Sequence, residues 1–120
     1  MTTVLIADDE RDVRDLLRFD LEADGYRVLE ACNGREALGV LSHEAIEVLL
    51  LDLRMPEVSG WDVLTELTQK NRLDGMNVIV ISAHGGVEAS QRALALGARY
   101  YLTKPFRYGD LVPLLPPVDD

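Results

Sequence analysis

The sequence predicts a doubly wound α/β domain built on a five-stranded parallel sheet, with helices on both faces. Three observations carry the prediction. Short strand-like runs at Val4–Ala7, Arg27–Ala31, Val48–Asp52, Val78–Ser82 and Tyr100–Leu102 alternate with stretches of helical period. The strongest of these runs are apolar on both faces and too short for a helix, as in strands covered from both sides. The chain has 120 residues, enough for one such domain with right-handed crossovers and too few for two.

The elements follow in order. Val4–Ala7 runs straight into Asp8-Asp9-Glu10. From Arg11 the period changes: Val13, Leu16, Leu17 and Leu21 fall on one helical face, and Arg14, Asp15, Arg18 and Glu22 on others. Gly25 suits a left-handed stop before the second strand. Asn33-Gly34 marks a turn, and Arg35–Ser42 reads as a helix with Ala37, Leu38 and Leu41 inward. Val48–Asp52 is the most apolar run, and Met55-Pro56 ends it because proline cannot donate to a sheet ladder. A helix over Trp61–Asn71 places Leu64 and Leu67 one turn apart. Asp74-Gly75 turns into Val78–Ser82, and Gly85-Gly86 gives a flexible loop before an alanine-rich helix over Val87–Leu96. Tyr100–Leu102 leads to Thr103-Lys104-Pro105. A last helix is expected from about Tyr108, but Pro113 removes an amide and crowds the preceding turn. The prediction is a short or distorted helix, a domain over residues 1–115, and an extended Pro-rich tail or linker start over 116–120.

Composition narrows the function. A net charge of −9 repels nucleic acid and anionic lipid, so neither is an expected partner. Part of that charge is clustered at Asp8-Asp9-Glu10, which invites a hard cation. No apolar run approaches the length needed to cross a membrane, and the N-terminus has no basic region before its apolar run, so a cytoplasmic location is expected. A single cysteine, Cys32, cannot form an internal disulfide and reads as a small apolar filler.

In open parallel sheets, sites form beyond the carboxyl ends of the strands. Those ends here carry Asp8 and Asp9, Asp52, Ser82, and, after the fifth strand, Lys104. Three neighbouring carboxylates stay ionised only with a cation, and Mg²⁺ suits them because it takes a few carboxylates while keeping waters and phosphate oxygens. A carboxylate in line with a phosphoryl donor can act as a nucleophile and form an acyl phosphate. Lys104, Ser82 and the cation would then neutralise the transferring oxygens.

These residues resemble the receiver domain of bacterial two-component response regulators over almost the whole chain. The matching pieces are Asp8-Asp9, Asp52-x-x-Met55-Pro56-x-x-x-Gly60, Ser82-Ala83, and Tyr101-Leu102-x-Lys104-Pro105-Phe106. Each is weak alone; their order and spacing together are specific. The resemblance implies a flavodoxin-like strand order of 2-1-3-4-5 and a phosphorylation-dependent signalling switch in a phosphorelay. It implies Asp52 as phosphoacceptor and Mg²⁺ (Mn²⁺ able to substitute) held directly by Asp9, Asp52 and the Arg54 backbone carbonyl, with Asp8 acting mainly through water. It also implies that Ser82 and Lys104 bind the phosphoryl group, that Ser82 and Tyr101 form the switch, and that a histidine kinase or phosphotransfer protein is the donor. Output would pass to a downstream protein or to a domain beyond Asp120. Beyond its own phosphorylation and dephosphorylation, no catalysis is implied.

Departures are also visible. Ser59 stands where the family often has Asp, and Tyr100 where an acidic residue is common. Arg54 and His84 occupy positions resembling those that tune acyl-phosphate lifetime. The Pro113 defect falls on the face of fourth helix, fifth strand and fifth helix that commonly docks partners, and puts the family's usual dimer geometry in question. Three rival readings compete. A Mg-dependent aspartyl phosphatase would want a second Asp where Arg54 stands. A pseudo-receiver would keep the fold as an interaction module without phosphorylation. A flavodoxin-like cofactor binder would need a phosphate-cradling loop where Asp8-Asp9-Glu10 repels phosphate.

Overall fold

Strand order is β2-β1-β3-β4-β5, all parallel, in a computed structural model that describes residues 1–83 and 86–118. The strands are β1 Thr3–Ala7, β2 Arg27–Ala31, β3 Val48–Asp52, β4 Asn77–Ser82 and β5 Tyr100–Thr103. The helices are α1 Arg11–Ala23, α2 Gly34–His43, α3 Gly60–Gln69, α4 Val87–Ala95 and a single turn, α5 Tyr108–Leu111. The predicted fold class and the implied order both hold. Among the described residues no helix is long and apolar enough to cross a membrane.

Strand side chains alternate between two cores, as the period of two requires. Leu5, Leu49, Leu51, Val78 and Val80 pack under Ala37 and Leu41 of α2, Val63, Leu64 and Leu67 of α3, and Ala93 of α4. Val4, Ile6, Val48, Leu50, Ile79 and Ile81 pack under Leu17 and Leu21 of α1 and Leu111 of α5. All five residues of β1 and all five of β3 are buried, which explains why their sequences are not amphipathic.

Local chemistry fixes the helix starts. Ser59 caps α3: its hydroxyl accepts from the Asp62 amide at 3.2 Å, while its own amide donates to Asp62 Oδ2 at 3.0 Å. The departure at Ser59 is thus a working helix cap. Asn33 caps α2 with its side-chain oxygen, which accepts from the Glu36 amide at 2.8 Å.

One expectation needs correction. Leu16 is not on the inward face; it is 68 % exposed. The α1 stripe runs Val13–Leu17–Leu21 in steps of four, and Leu16 lies about 100° around the helix from Leu17. It borders instead a groove shared with Pro105, Phe106 and Tyr108. The chain after α5 does shorten into a 3₁₀ turn, Val112–Leu114, with Pro113 inside it. Residues 114–118 then lie against the molecule. Asn77 donates to the Leu114 carbonyl at 3.1 Å, and Tyr26 donates its hydroxyl to the Pro116 carbonyl at 2.6 Å. Val118 packs on the core beside Gly25. Proline carbonyls remain good acceptors, so a segment that cannot form a helix can still be tied down by its main chain.

Candidate functional site

Sheet register assembles the site. Ala7 pairs with Leu51, so Asp8 emerges beside Asp52; Asp52 pairs with Ile81, one before Ser82; and Ser82 pairs with Thr103, one before Lys104. The Lys104 amide donates to the Ser82 carbonyl at 2.8 Å, extending the ladder by one residue and turning the ammonium over the strand tips.

Asp8, Asp52 and Ser82 are buried, while Asp9 and Glu10 are exposed. Lys104 Nζ lies 2.8 Å from Asp8 Oδ2, 3.4 Å from Glu10 Oε1 and 3.5 Å from Asp52 Oδ2. Asp8 Oδ1 accepts from the Glu10 amide at 2.8 Å, so both of its oxygens are engaged. Asp52 Oδ1 accepts from the Arg54 amide at 3.2 Å. The Arg54 side chain itself is exposed. Tyr101 is half-buried: it packs on the core under α3 and α4, and it also lines a surface groove with Val87, Ser90 and Leu94 of α4. His84 lies outside the described residues.

Burial and neighbouring charge act strongly on Asp52. Burial pushes its carboxyl up from 3.8 to about 6, with Asp8 and Asp9 adding to the rise; the Arg54 amide and Lys104 oppose it. Burial alone would lower the Lys104 ammonium, but its hydrogen bond to Asp8 and the charges of Asp8, Asp52 and Glu10 outweigh that and push it up. The ion pair is therefore secure at neutral pH, and the carboxylate farthest from Lys104 within it is Asp52.

The stability consequence has a definite sign. A carboxyl whose folded value is raised binds protons more readily in the native state, so folding loses stability as pH rises through the window from about 4 to about 6. Asp52→Asn removes that penalty. In chelator at neutral pH it is expected to stabilise the fold by about 1–2 kcal/mol after allowance for solvent screening. Urea unfolding at several pH values checks this. The gap between variant and wild type should close by about pH 4.

The donor set fits a hard divalent cation. Carboxylate oxygens of Asp8, Asp9 and Glu10 lie within 4.8 Å of one another, and Asp52 sits beside them with its ionised form disfavoured. The ligands are all oxygen, and the local excess of negative charge is what a divalent ion offsets. Periodicity did not reveal Glu10 as a Lys104 partner, or Arg14 as a residue of this neighbourhood; the Arg14 guanidinium donates to the Asp8 carbonyl at 2.8 Å. The available signal was position: Arg14 is one turn after Glu10, whose carbonyl accepts from its amide at 3.1 Å.

Comparison with known proteins agrees with this geometry. The family model described as the response regulator receiver domain matches residues 4–115. The response regulator SaeR of Staphylococcus aureus is 38% identical over 112 residues, covering 93% of this chain and 48% of that protein. The chain thus spans about half the length of the curated relatives it matches. The receiver domain of the Francisella response regulator 1452 superposes with a TM-score of 0.89 at 30% identity, covering 95% of this chain and 93% of that one. A Burkholderia pseudomallei response regulator, described with a phosphorylated aspartic acid, a calcium ion and citrate, gives a TM-score of 0.87 at 26% identity, covering 97% and 67%. Matched by one family model from the first strand to the end of the 3₁₀ turn, the chain belongs to the response regulator receiver domain family.

Proposed function

We propose that this receiver domain is a phosphorylation-dependent switch whose Asp52 accepts a phosphoryl group from a histidine kinase or phosphotransfer protein. The observation that carries the reading is the buried Asp52 at the carboxyl end of the central strand, 3.5 Å from Lys104 and beside two further carboxylates.

An Asp52 carboxylate oxygen attacks phosphorus; the oxygen–phosphorus bond forms as the bond to the donor breaks, and the donor keeps that electron pair. Lys104 gives up part of its contact with Asp8 and Glu10 to neutralise a phosphoryl oxygen. Ser82 donates its hydroxyl to another, drawing its loop inward, and Tyr101 moves further into the groove it already lines. The pull on Ser82 and the burial of Tyr101 form the two-state element that phosphorylation biases. Mg²⁺ or Mn²⁺, held by Asp9, Asp52 and the Arg54 carbonyl with Asp8 acting mainly through water, would supply the remaining charge neutralisation. The functional unit is residues 1–115. The altered face beside α4 and β5 is read by a separate target or by an output domain.

Intact-mass measurement after incubation with a small phosphodonor and Mg²⁺ tests this. One added phosphoryl group, absent when a chelator is present, is the expected result. A folded protein that binds Mg²⁺ and gains no mass would instead be a pseudo-receiver acting through its surface alone.

A further inference from the structure

We propose that Arg14 is a positioning residue for the acidic loop and sets the affinity of the site for a divalent cation. The inference rests on the phosphorylation reading only in taking Asp8 and Asp9 as cation-binding groups.

The Arg14 side chain is only 15% exposed and joins three elements. Its Nη1 donates to the Asp8 backbone carbonyl at 2.8 Å, and its Nε donates to Glu30 Oε1 on β2 at 3.1 Å. Glu30 is itself held from α1 by Arg18 Nη1 at 2.5 Å. The neighbouring Ala31 carbonyl of β2 accepts from the Asp8 amide at 3.1 Å. Both sides of Asp8 in the main chain are therefore clamped, one by β2 directly and one by Arg14.

The clamp matters because the loop's other ties, the Glu10 amide on Asp8 Oδ1 and Lys104 on the Asp8 and Glu10 carboxylates, do not hold the peptide between Asp8 and Asp9. Glu10, at the start of α1, makes no side-chain cap. The carbonyl that Arg14 holds belongs to the peptide joining Asp8 to Asp9, so a tilt of that peptide moves the exposed Asp9 carboxylate away from the buried Asp8 and Asp52. A guanidinium suits this task, since its rigid fork reaches a carbonyl and a carboxylate at once. Its charge is offset in part by Glu30, which it shares with Arg18.

Charge and position make opposite predictions. Removing a positive group from beside a carboxylate cluster would, by charge alone, tighten Mg²⁺ binding. Loss of a positioning group weakens it, typically by tenfold or more for groups that orient metal-binding side chains. Calorimetric titration of the whole chain with Mg²⁺, without phosphodonor, distinguishes them. Arg14→Met is expected to raise the Mg²⁺ dissociation constant about tenfold. Arg14→Lys, which reaches one of the two acceptors, should fall between it and wild type. Equal or tighter binding by Arg14→Met overturns the proposal, as does a wild type that binds no Mg²⁺. If Arg14→Met does not fold, Arg14→Lys decides by the same criterion. A wild type that binds Mg²⁺ but accepts no phosphoryl group sinks the phosphorylation reading and leaves this comparison intact.

Discussion

Lys104→Met is expected to slow phosphorylation of Asp52 by about 10²–10³-fold, the usual effect of removing one preorganised charge-stabilising group. Methionine keeps the length and apolar stem of the side chain, so packing is largely retained while the ammonium is lost. Asp8 and Asp52 would then face each other buried and without their cation. That arrangement is expected to cost about 3 kcal/mol at neutral pH in chelator, because the loss of one partner leaves uncompensated buried charge. The Asp52 carboxyl, already raised to about 6, would rise further, so the stability loss should shrink as the pH is lowered. Single-turnover phosphorylation at saturating Mg²⁺ measures the first effect and urea unfolding the second. A variant that takes the phosphoryl group at the wild-type rate would remove Lys104 from the mechanism.

Gly60→Ala should be the most damaging conservative change in the site's scaffold. A Cβ built there would lie 2.2 Å from the Asp52 carbonyl oxygen and 2.7 Å from Leu53 Cα. Both are main-chain atoms at the end of a fully buried strand, and neither can yield as a flexible side chain would. The Gly60 amide also donates to the Leu53 carbonyl at 3.1 Å, which pins the start of α3 against the loop after Asp52. Overpacking at such a site costs about 2–3 kcal/mol and displaces the Asp52 main chain, so phosphorylation should slow as well. Gly39→Ala is the matched control: nothing lies within 4 Å of its Cβ in the middle of α2, and the change should stabilise by about 0.5–1 kcal/mol. Urea midpoints of the two variants should move in opposite directions.

What the sequence disclosed follows from what its patterns encode. The β2 and β3 bounds were legible to the residue, because the Asn33-Gly34 turn follows closely on one run and Asp52 ends the other. Asp8, Asp52, Ser82 and Lys104 were legible as a set, because strand ends in a parallel sheet share one edge and the register brings them together. For Arg14 the period gives only a position off the apolar face, since periodicity records only whether a residue is apolar. A half-buried arginine satisfied by a carbonyl and a glutamate looks the same as an exposed one. Leu16 departs from its expected place for the converse reason: an apolar residue at the flank of a stripe is not distinguishable from one at its centre. Docking of residues 114–118 depends on carbonyl acceptors meeting the hydroxyl of Tyr26 and the amide of Asn77 across the fold, and no local pattern encodes that.

The most direct test of the account is chemical trapping of the phosphorylated protein. Borohydride reduces an acyl phosphate to the corresponding alcohol, and peptide mass mapping then locates the reduced residue. The account predicts reduction at Asp52 alone, dependent on prior phosphorylation and absent from Asp52→Asn. Reduction at Asp8, Asp9 or Glu10, or a phosphoryl group that resists borohydride because it sits on a hydroxyl or a histidine, would contradict it.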